Sequence, residues 1–260
     1  MALLEVCCGN LESVDAAVLG GARRIELCAD LPLDGLTPPV DWLRAVKTRY
    51  PELTVHVLIR PRAGDFCYTP EEIDRVVSQV EDALEAGADA IVVGCLTPEH
   101  DVDISAMERI VRVVDDWNLA RELADSDLCH AANDSHFFPG PARRVSITFH
   151  RAFDRCRRPF DALEQLIGLR CDRILTSGQA PTAEEGADLL RELRRRARGR
   201  IGILPGGGVT PENAPRILAH TGCTEIHASA SEVIEGKRVT SAETVAAILR
   251  ALHPLSPATL

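Results

Sequence analysis

Hydrophobic and polar positions alternate most clearly between residues 55 and 60, where Val55, Val57 and Ile59 interleave with His56, Leu58 and Arg60. One face of this stretch is apolar and the other carries a histidine and an arginine, as in a strand that opens into a site. Pro61 stops the strand, and Arg62, Gly64, Asp65 and Cys67 follow in a loop. A second pattern recurs along the chain: a helix end, a glycine, a small residue, two variable residues, then isoleucine and a strand. It reads Gly21-Ala22-Arg23-Arg24-Ile25, then Gly87-Ala88-Asp89-Ala90-Ile91, then Gly222-Cys223-Thr224-Glu225-Ile226. A looser copy is Arg170-Cys171-Asp172-Arg173-Ile174. A glycine after a helix is the expected left-handed cap, so these are junctions of repeated βα units.

The units count to eight. Strands are expected at 3–7, 24–28, 54–60, 90–95, 144–152, 173–177, 200–205 and 225–230. Helices are expected at 11–20, 40–50, 70–86, 104–117, 159–169, 183–197, 211–220 and 241–252. Thr69 before Pro70, with Glu72 three residues on, and Thr210 before Pro211, with Asn213, are good helix starts. Eight such units in 260 residues predict an α/β fold of the TIM (β/α)8 barrel type, one domain spanning 1–260. An open doubly wound sheet is the alternative, but the first βα turn, Cys8-Gly9-Asn10, lacks the GxGxxG pattern. Residues 118–142 fit no unit and read as a surface insertion between helix 4 and strand 5. The insertion holds Cys129, His130 and His136, at a spacing that is not diagnostic of a metal site.

The repeat supplies a register. With Ile25, Ile91, Ile174 and Ile226 facing the helices, the residues one and three later face the barrel interior. The inward set is then Glu26, Cys28, Val92, Gly94, Leu175, Ser177, His227 and Ser229. The same alternation adds Glu5, Cys7, His56, Leu58, Arg60, Ser146, Thr148, His150, Gly202 and Leu204. Charges in such an interior must pair, for example Glu5 or Glu26 with Arg60, because a lone buried charge is costly. Two readings stay open, a buried network that sets barrel register and a site at the carboxyl ends of the strands.

Composition narrows the partners. A net charge of −10 and a pI near 5.3 argue against nucleic acid or an anionic membrane surface. No apolar run approaches the ~18 residues of a membrane helix, and the start of the chain resembles no secretion signal. A cytoplasmic location is expected. Nine cysteines with no CxxC pair exclude a zinc ribbon or a thioredoxin-type motif.

Several residues are candidates for chemistry. His150, Glu26 and Asp154 are the acid/base candidates, with His150-Arg151 ending strand five. Arg60, Arg62, Asp65, Arg151, Ser177, His227 and Ser229 are candidates for holding an anionic substrate, together with Gly206 and Gly207 of the Pro205-Gly206-Gly207-Gly208 turn. Cys7 and Cys28 lie at matching repeat positions on adjacent strands, so their side chains should share one face roughly 5 Å apart. Two thiolates with a histidine nearby suit a soft cation such as Cu(I). Two small buried cysteines are the plainer alternative.

Together, Glu5-Val6-Cys7, Arg24-Ile25-Glu26-Leu27-Cys28, Gly35-Leu36-Thr37-Pro38, Ile59-Arg60-Pro61-Arg62, Gly64-Asp65-Phe66, Thr148-Phe149-His150-Arg151-Ala152-Phe153-Asp154, Leu175-Thr176-Ser177-Gly178 and Pro205-Gly206-Gly207-Gly208 resemble the CutC copper homeostasis family. The resemblance runs from residue 2 to about residue 230. It implies a TIM barrel, a cytoplasmic homo-oligomer (dimer or tetramer) and copper handling, with Cu(I) on Cys7 and Cys28. Ala63 and Asp34 stand where the family tends to carry glycine. Two functions follow as expectations: a Cu(I)-binding homeostasis protein, or an enzyme acting on a small anionic, phosphorylated or sugar-acid metabolite. A pure scaffold would leave the polar interior unexplained.

Overall fold

Eight parallel strands surround a common axis in the computed structural model, which describes residues 2–131, 144–234 and 237–253. They are β1 (Leu3–Cys8), β2 (Arg24–Leu27), β3 (Thr54–Leu58), β4 (Ala90–Val93), β5 (Ser146–Phe149), β6 (Arg173–Thr176), β7 (Gly202–Pro205) and β8 (Glu225–Ala228). Sheet order is β7-β6-β5-β4-β3-β2-β1-β8, and a bridge between Gly206 and His227 brings the two ends together. Sequential neighbours all the way round make a TIM barrel and exclude the open doubly wound sheet. The intervening helices are α1 (Leu11–Leu19), α2 (Val40–Arg49), α3 (Pro70–Glu85), α4 (Ile104–Ala131), α5 (Pro159–Gly168), α6 (Ala187–Ala197) and α7 (Ala214–Thr221). A hairpin of β9 (Ser231–Ile234) and β10 (Lys237–Thr240), not anticipated above, precedes α8 (Ala242–Leu252).

Local signals explain most boundaries. Thr69 and Glu72 form a reciprocal capping box at the start of α3, with Pro70 in the first turn. Gly21, Gly87 and Gly222 all take positive φ after their helices, and Arg170 of the looser copy takes φ +59° in the same place. Asp34 likewise sits at φ +63°, a conformation that favours glycine. Helix α7 begins at Ala214 rather than 211 because Thr210 and Asn213 exchange hydrogen bonds ahead of it, closing a turn first.

The expected end of helix 4 at residue 117 is corrected, since α4 continues to Ala131. Asn118, expected to open the insertion, is buried. Its side chain donates to Val145 O at 3.0 Å and accepts from Val145 N at 2.8 Å, pinning the helix to the entry of β5. Residues 132–142 of the expected insertion, with His136, lie outside the described residues, as do the side chains of Cys129 and His130.

The core has two parts. Ile25, Ile91, Ile174 and Ile226 are fully buried against the helices, as the repeat predicts. Inside the barrel Cys7, Cys28, Leu58 and Val92 form a small apolar cluster, and Leu175 and Leu204 are buried as well. Beside them lie the buried polar side chains Glu5, Arg24, Glu26, His56 and His227, which lead to the site.

Candidate active site

A chain of ion pairs runs up the barrel axis. Near its lower end Arg173 donates to Ser146 Oγ at 2.9 Å and to Glu225 Oε2 at 3.2 Å. Glu225 Oε2 also meets Arg24 Nη2 at 2.6 Å, and Arg24 Nε lies 2.9 Å from Glu5 Oε2. Glu5 is the hub, with His56 Nδ1 at 2.7 Å and His227 Nδ1 at 2.8 Å on its two oxygens. The Arg24 Nε and His56 Nδ1 contacts are close approaches whose angles do not make hydrogen bonds. Burial works against the charge on Glu5, but His56, His227 and Arg24 outweigh it and hold the carboxyl well below its ordinary range.

The network is thus real, but Arg60 is not its cation, contrary to the expected pairing with Glu5 or Glu26. Arg24 fills that role, with Glu225 and Arg173 below it. All three were legible, because each stands two residues before an inward-facing position, Glu26, His227 and Leu175.

Above the hub sit Cys7, Glu26 and His227, all buried, offering ligand atoms within 4.8 Å of one another. Cys7 Sγ is 3.6 Å from Cys28 Sγ and donates to Glu26 Oε1 at 3.6 Å. The thiols do share a face, but not at matching positions. The ladder pairs Cys7 with Glu26, so Cys28 lies two residues further along. Its bond with Cys28 and its burial push the Cys7 thiol well above the ordinary range. Burial raises the Glu26 carboxyl. Burial opposes a charge on His227, yet Glu26, Cys7 and Glu5 together raise it well above an ordinary histidine.

The mouth opens into a cavity of about 870 Å³. Cys7, Glu26, Arg60, Phe66, His150 and Arg151 are among the residues lining it. Arg60 is buried and donates to three carbonyls, Leu33 O at 2.8 Å, Gly35 O at 3.0 Å and Gly64 O at 2.9 Å. Its Nε has no partner among the described residues. Phe66, which the motif reading treated only as a family marker, lies 5.0 Å from the Arg60 guanidinium and 5.0 Å from the His150 ring.

His150 is buried, and its Nδ1 accepts from Ala152 N at 3.1 Å, so the proton belongs on Nε2, which has no partner. Burial and the Arg60 charge depress its pKa to about 3, leaving a neutral imidazole. Gly94 makes room for it, because a Cβ there would fall 2.7 Å from His150 Nδ1 and Cε1.

The other candidates are tied up to different degrees. Arg62 binds Glu72 at 2.6 Å, Asp65 at 2.9 Å and Cys67 O at 2.7 Å, and so braces its own loop. Asp154 accepts from Arg151 Nε at 2.8 Å, Ser177 Oγ at 3.0 Å, Gln179 N at 3.2 Å and the Thr176 hydroxyl. It organises the turn after β6 and aims Arg151, whose Nη2 also reaches Ser177 Oγ at 3.1 Å. Gly207 lies against that guanidinium, while Gly206 packs on Leu175 and His227. Ser229 pairs with Ser231 at 3.1 Å. Ser177, Gly206, Gly207 and Ser229 are not in the cavity lining.

Comparison with known proteins agrees with this architecture. The CutC family profile matches residues 2–134 and 138–232. A CutC family protein of Bacteroides fragilis is 42% identical over 233 residues, covering 90% of this chain and 82% of its own. One from Chromobacterium violaceum is 40% identical over 228 residues, covering 88% and 81%. A crystal structure described as the putative copper homeostasis protein CutC from Streptococcus agalactiae is 27% identical, with a TM-score of 0.74 over 88% of this chain and 99% of that one. A profile match along nearly the whole barrel, with relatives near 40% identity, shows that this chain belongs to the CutC family.

Proposed function

We propose that the chain is an enzyme whose barrel mouth takes a small anionic metabolite of the sugar-phosphate or sugar-acid kind. Arg60 carries this reading. It is only 4% exposed, and among the described residues its guanidinium meets carbonyl oxygens and no carboxylate. A buried cation without a counterion is costly, and the barrel network does not need it, because Arg24 already serves Glu5 and Glu225. An anion in the adjoining cavity relieves that cost. Arg151 adds a half-exposed cation on the far side of the mouth. In this reading Arg60 and Arg151 bind, Glu26 and His150 face the reacting centre, and Asp154, Ser177 and Gly207 position Arg151. Arg62 and Asp65 shape the β3 loop, and His227 links Glu26 to Glu5.

The test is a thermal-shift screen of sugar phosphates and organic acids. A ligand at a hundred times its Kd stabilises by about 2.7 kcal/mol, roughly 5–10 °C in a domain of this size. The shift should vanish in Arg60→Ala. A library that yields no Arg60-dependent ligand rejects the reading.

One observation favours a second reading, copper handling. The Cys7 and Cys28 thiols stand 3.6 Å apart beside Glu26 and His227. Two sulfurs and an imidazole suit Cu(I) as cargo, although Cys28 is wholly buried. Under this reading Cys7→Ser with Cys28→Ser abolishes Cu(I) affinity measured against a competing chelator; unchanged affinity rejects it. A cytoplasmic homo-oligomer belongs to both readings. Eight free cysteines among the described residues support the reducing compartment, and sedimentation would report the oligomeric state.

A further inference from the structure

Glu26 is 5% exposed, yet its carboxyl is almost bare. Among the described residues its Oε2 has no partner and its Oε1 has only the Cys7 thiol, at 3.6 Å. Arg24, the nearest arginine of the network, is taken by Glu5 and Glu225. Unsatisfied buried polar atoms are rare, and a buried carboxylate is costly unless a cation meets it. What stands beside Glu26 is a set of ligands. Cys7, Glu26 and His227 offer one atom each within 4.8 Å of one another, and all three line the cavity. The His227 ring is set for the same task. Glu5 holds its Nδ1 at 2.8 Å, which leaves Nε2 as the ligand nitrogen. An imidazole whose other nitrogen is tied to a carboxylate is the usual form of a metal-bound histidine.

We infer that Cys7 Sγ, a Glu26 carboxylate oxygen and His227 Nε2 hold a divalent transition-metal ion of the Zn2+ type, with a further position open to the cavity. One thiolate, one imidazole and one carboxylate are zinc donors. Mg2+ and Ca2+ take sets of oxygen ligands, and a soft Cu(I) ion has little use for the carboxylate. Three protein ligands with a position facing a cavity is the arrangement of catalytic rather than structural zinc.

Cys28 stands outside the set. It is wholly buried, donates its S–H to Cys8 O at 3.5 Å and is not among the residues lining the cavity. Lying 3.6 Å from Cys7 Sγ, it positions the ligand thiol. The site therefore differs from the two-thiol Cu(I) reading in both metal and ligands, and it does not depend on the anion reading. On binding, the Cys7 thiol proton passes to solvent and a sulfur lone pair to the metal, with no change of oxidation state.

The experiment titrates Zn2+ alone into the metal-stripped full chain, against a competing chelator and under reducing conditions, with Co2+ alone as the spectroscopic probe. We expect one equivalent of Zn2+ bound. The Co2+ form should show visible d–d bands and a near-ultraviolet charge-transfer band with the intensity of one thiolate. This spectrum is read on the wild type and needs no variant to fold. Cys7→Ser and Glu26→Gln should each lose at least about 100-fold in Zn2+ affinity, and Glu5→Gln, which only orients His227, roughly 10–100-fold. Cys28→Ser should lose less than about 10-fold, as a residue that touches no metal. A wild type that binds no Zn2+, or a Co2+ spectrum without thiolate charge transfer, overturns the inference. So does an affinity that survives Glu26→Gln but is lost in Cys28→Ser, which is the signature of the two-cysteine site. Each of these results leaves the Arg60 anion reading to its own screen.

Discussion

Glu5→Gln tests the hub on which the barrel interior rests. The carboxylate is wholly buried and meets Arg24, His56 and His227 at 2.9, 2.7 and 2.8 Å. Glutamine keeps the shape and one acceptor oxygen but removes the charge. Breaking a buried pair by losing one partner costs about 3–5 kcal/mol. Arg24 retains Glu225 at 2.6 Å, so the loss belongs at the lower end, about 3 kcal/mol. Urea unfolding at pH 7 should show this as a lowered midpoint with unchanged slope. The pH dependence has a definite sign. The folded carboxyl is depressed below its ordinary 4.5, so its stabilisation is fully present above that value and is lost as pH falls below it towards the folded value. The gap between wild type and variant should therefore be constant near neutrality and narrow progressively in acid. A gap under about 1 kcal/mol at pH 7 would refute the buried-hub account, given the expected cost, as would a gap that does not close in acid.

Two further outcomes follow from packing. Gly94→Ala places a methyl 2.7 Å from His150 and 3.2 Å from Ala152 Cβ, and should cost about 1–3 kcal/mol by overpacking while displacing the imidazole, read as a changed His150 NMR signal. Asn118→Ala removes both partners of the Val145 peptide group, and chemical unfolding should show a loss of about 2–4 kcal/mol for the two buried backbone groups left bare.

Much of the barrel was readable from the chain because its cues are local. The three Gly-x-x-x-Ile junctions mark where a helix ends and the next strand begins, and the positive φ of Gly21, Gly87 and Gly222 is the physical basis of that mark. Helix α4 is the exception, because a polar Asn118 reads as a breaker until its partner Val145, 27 positions later, is known. The β9–β10 hairpin escaped because Glu232, Lys237 and Arg238 give it no clear alternation.

The site divides along the same line. Alternation is a property of one strand, so the chain alone determines that Glu5, Cys7, Glu26, His56, Arg60, His150 and His227 share the interior, and extended one step it would have added Arg24, Arg173 and Glu225. Which of them touch is a property of neighbouring strands. The stagger that sets Cys7 opposite Glu26, and Glu5 opposite both Arg24 and His227, comes from barrel closure and helix packing over the whole molecule. That stagger gave Glu5 and Glu225 to Arg24, left Arg60 to carbonyl oxygens and the cavity, and set His150 beside Phe66 with its Nδ1 accepting from Ala152 N.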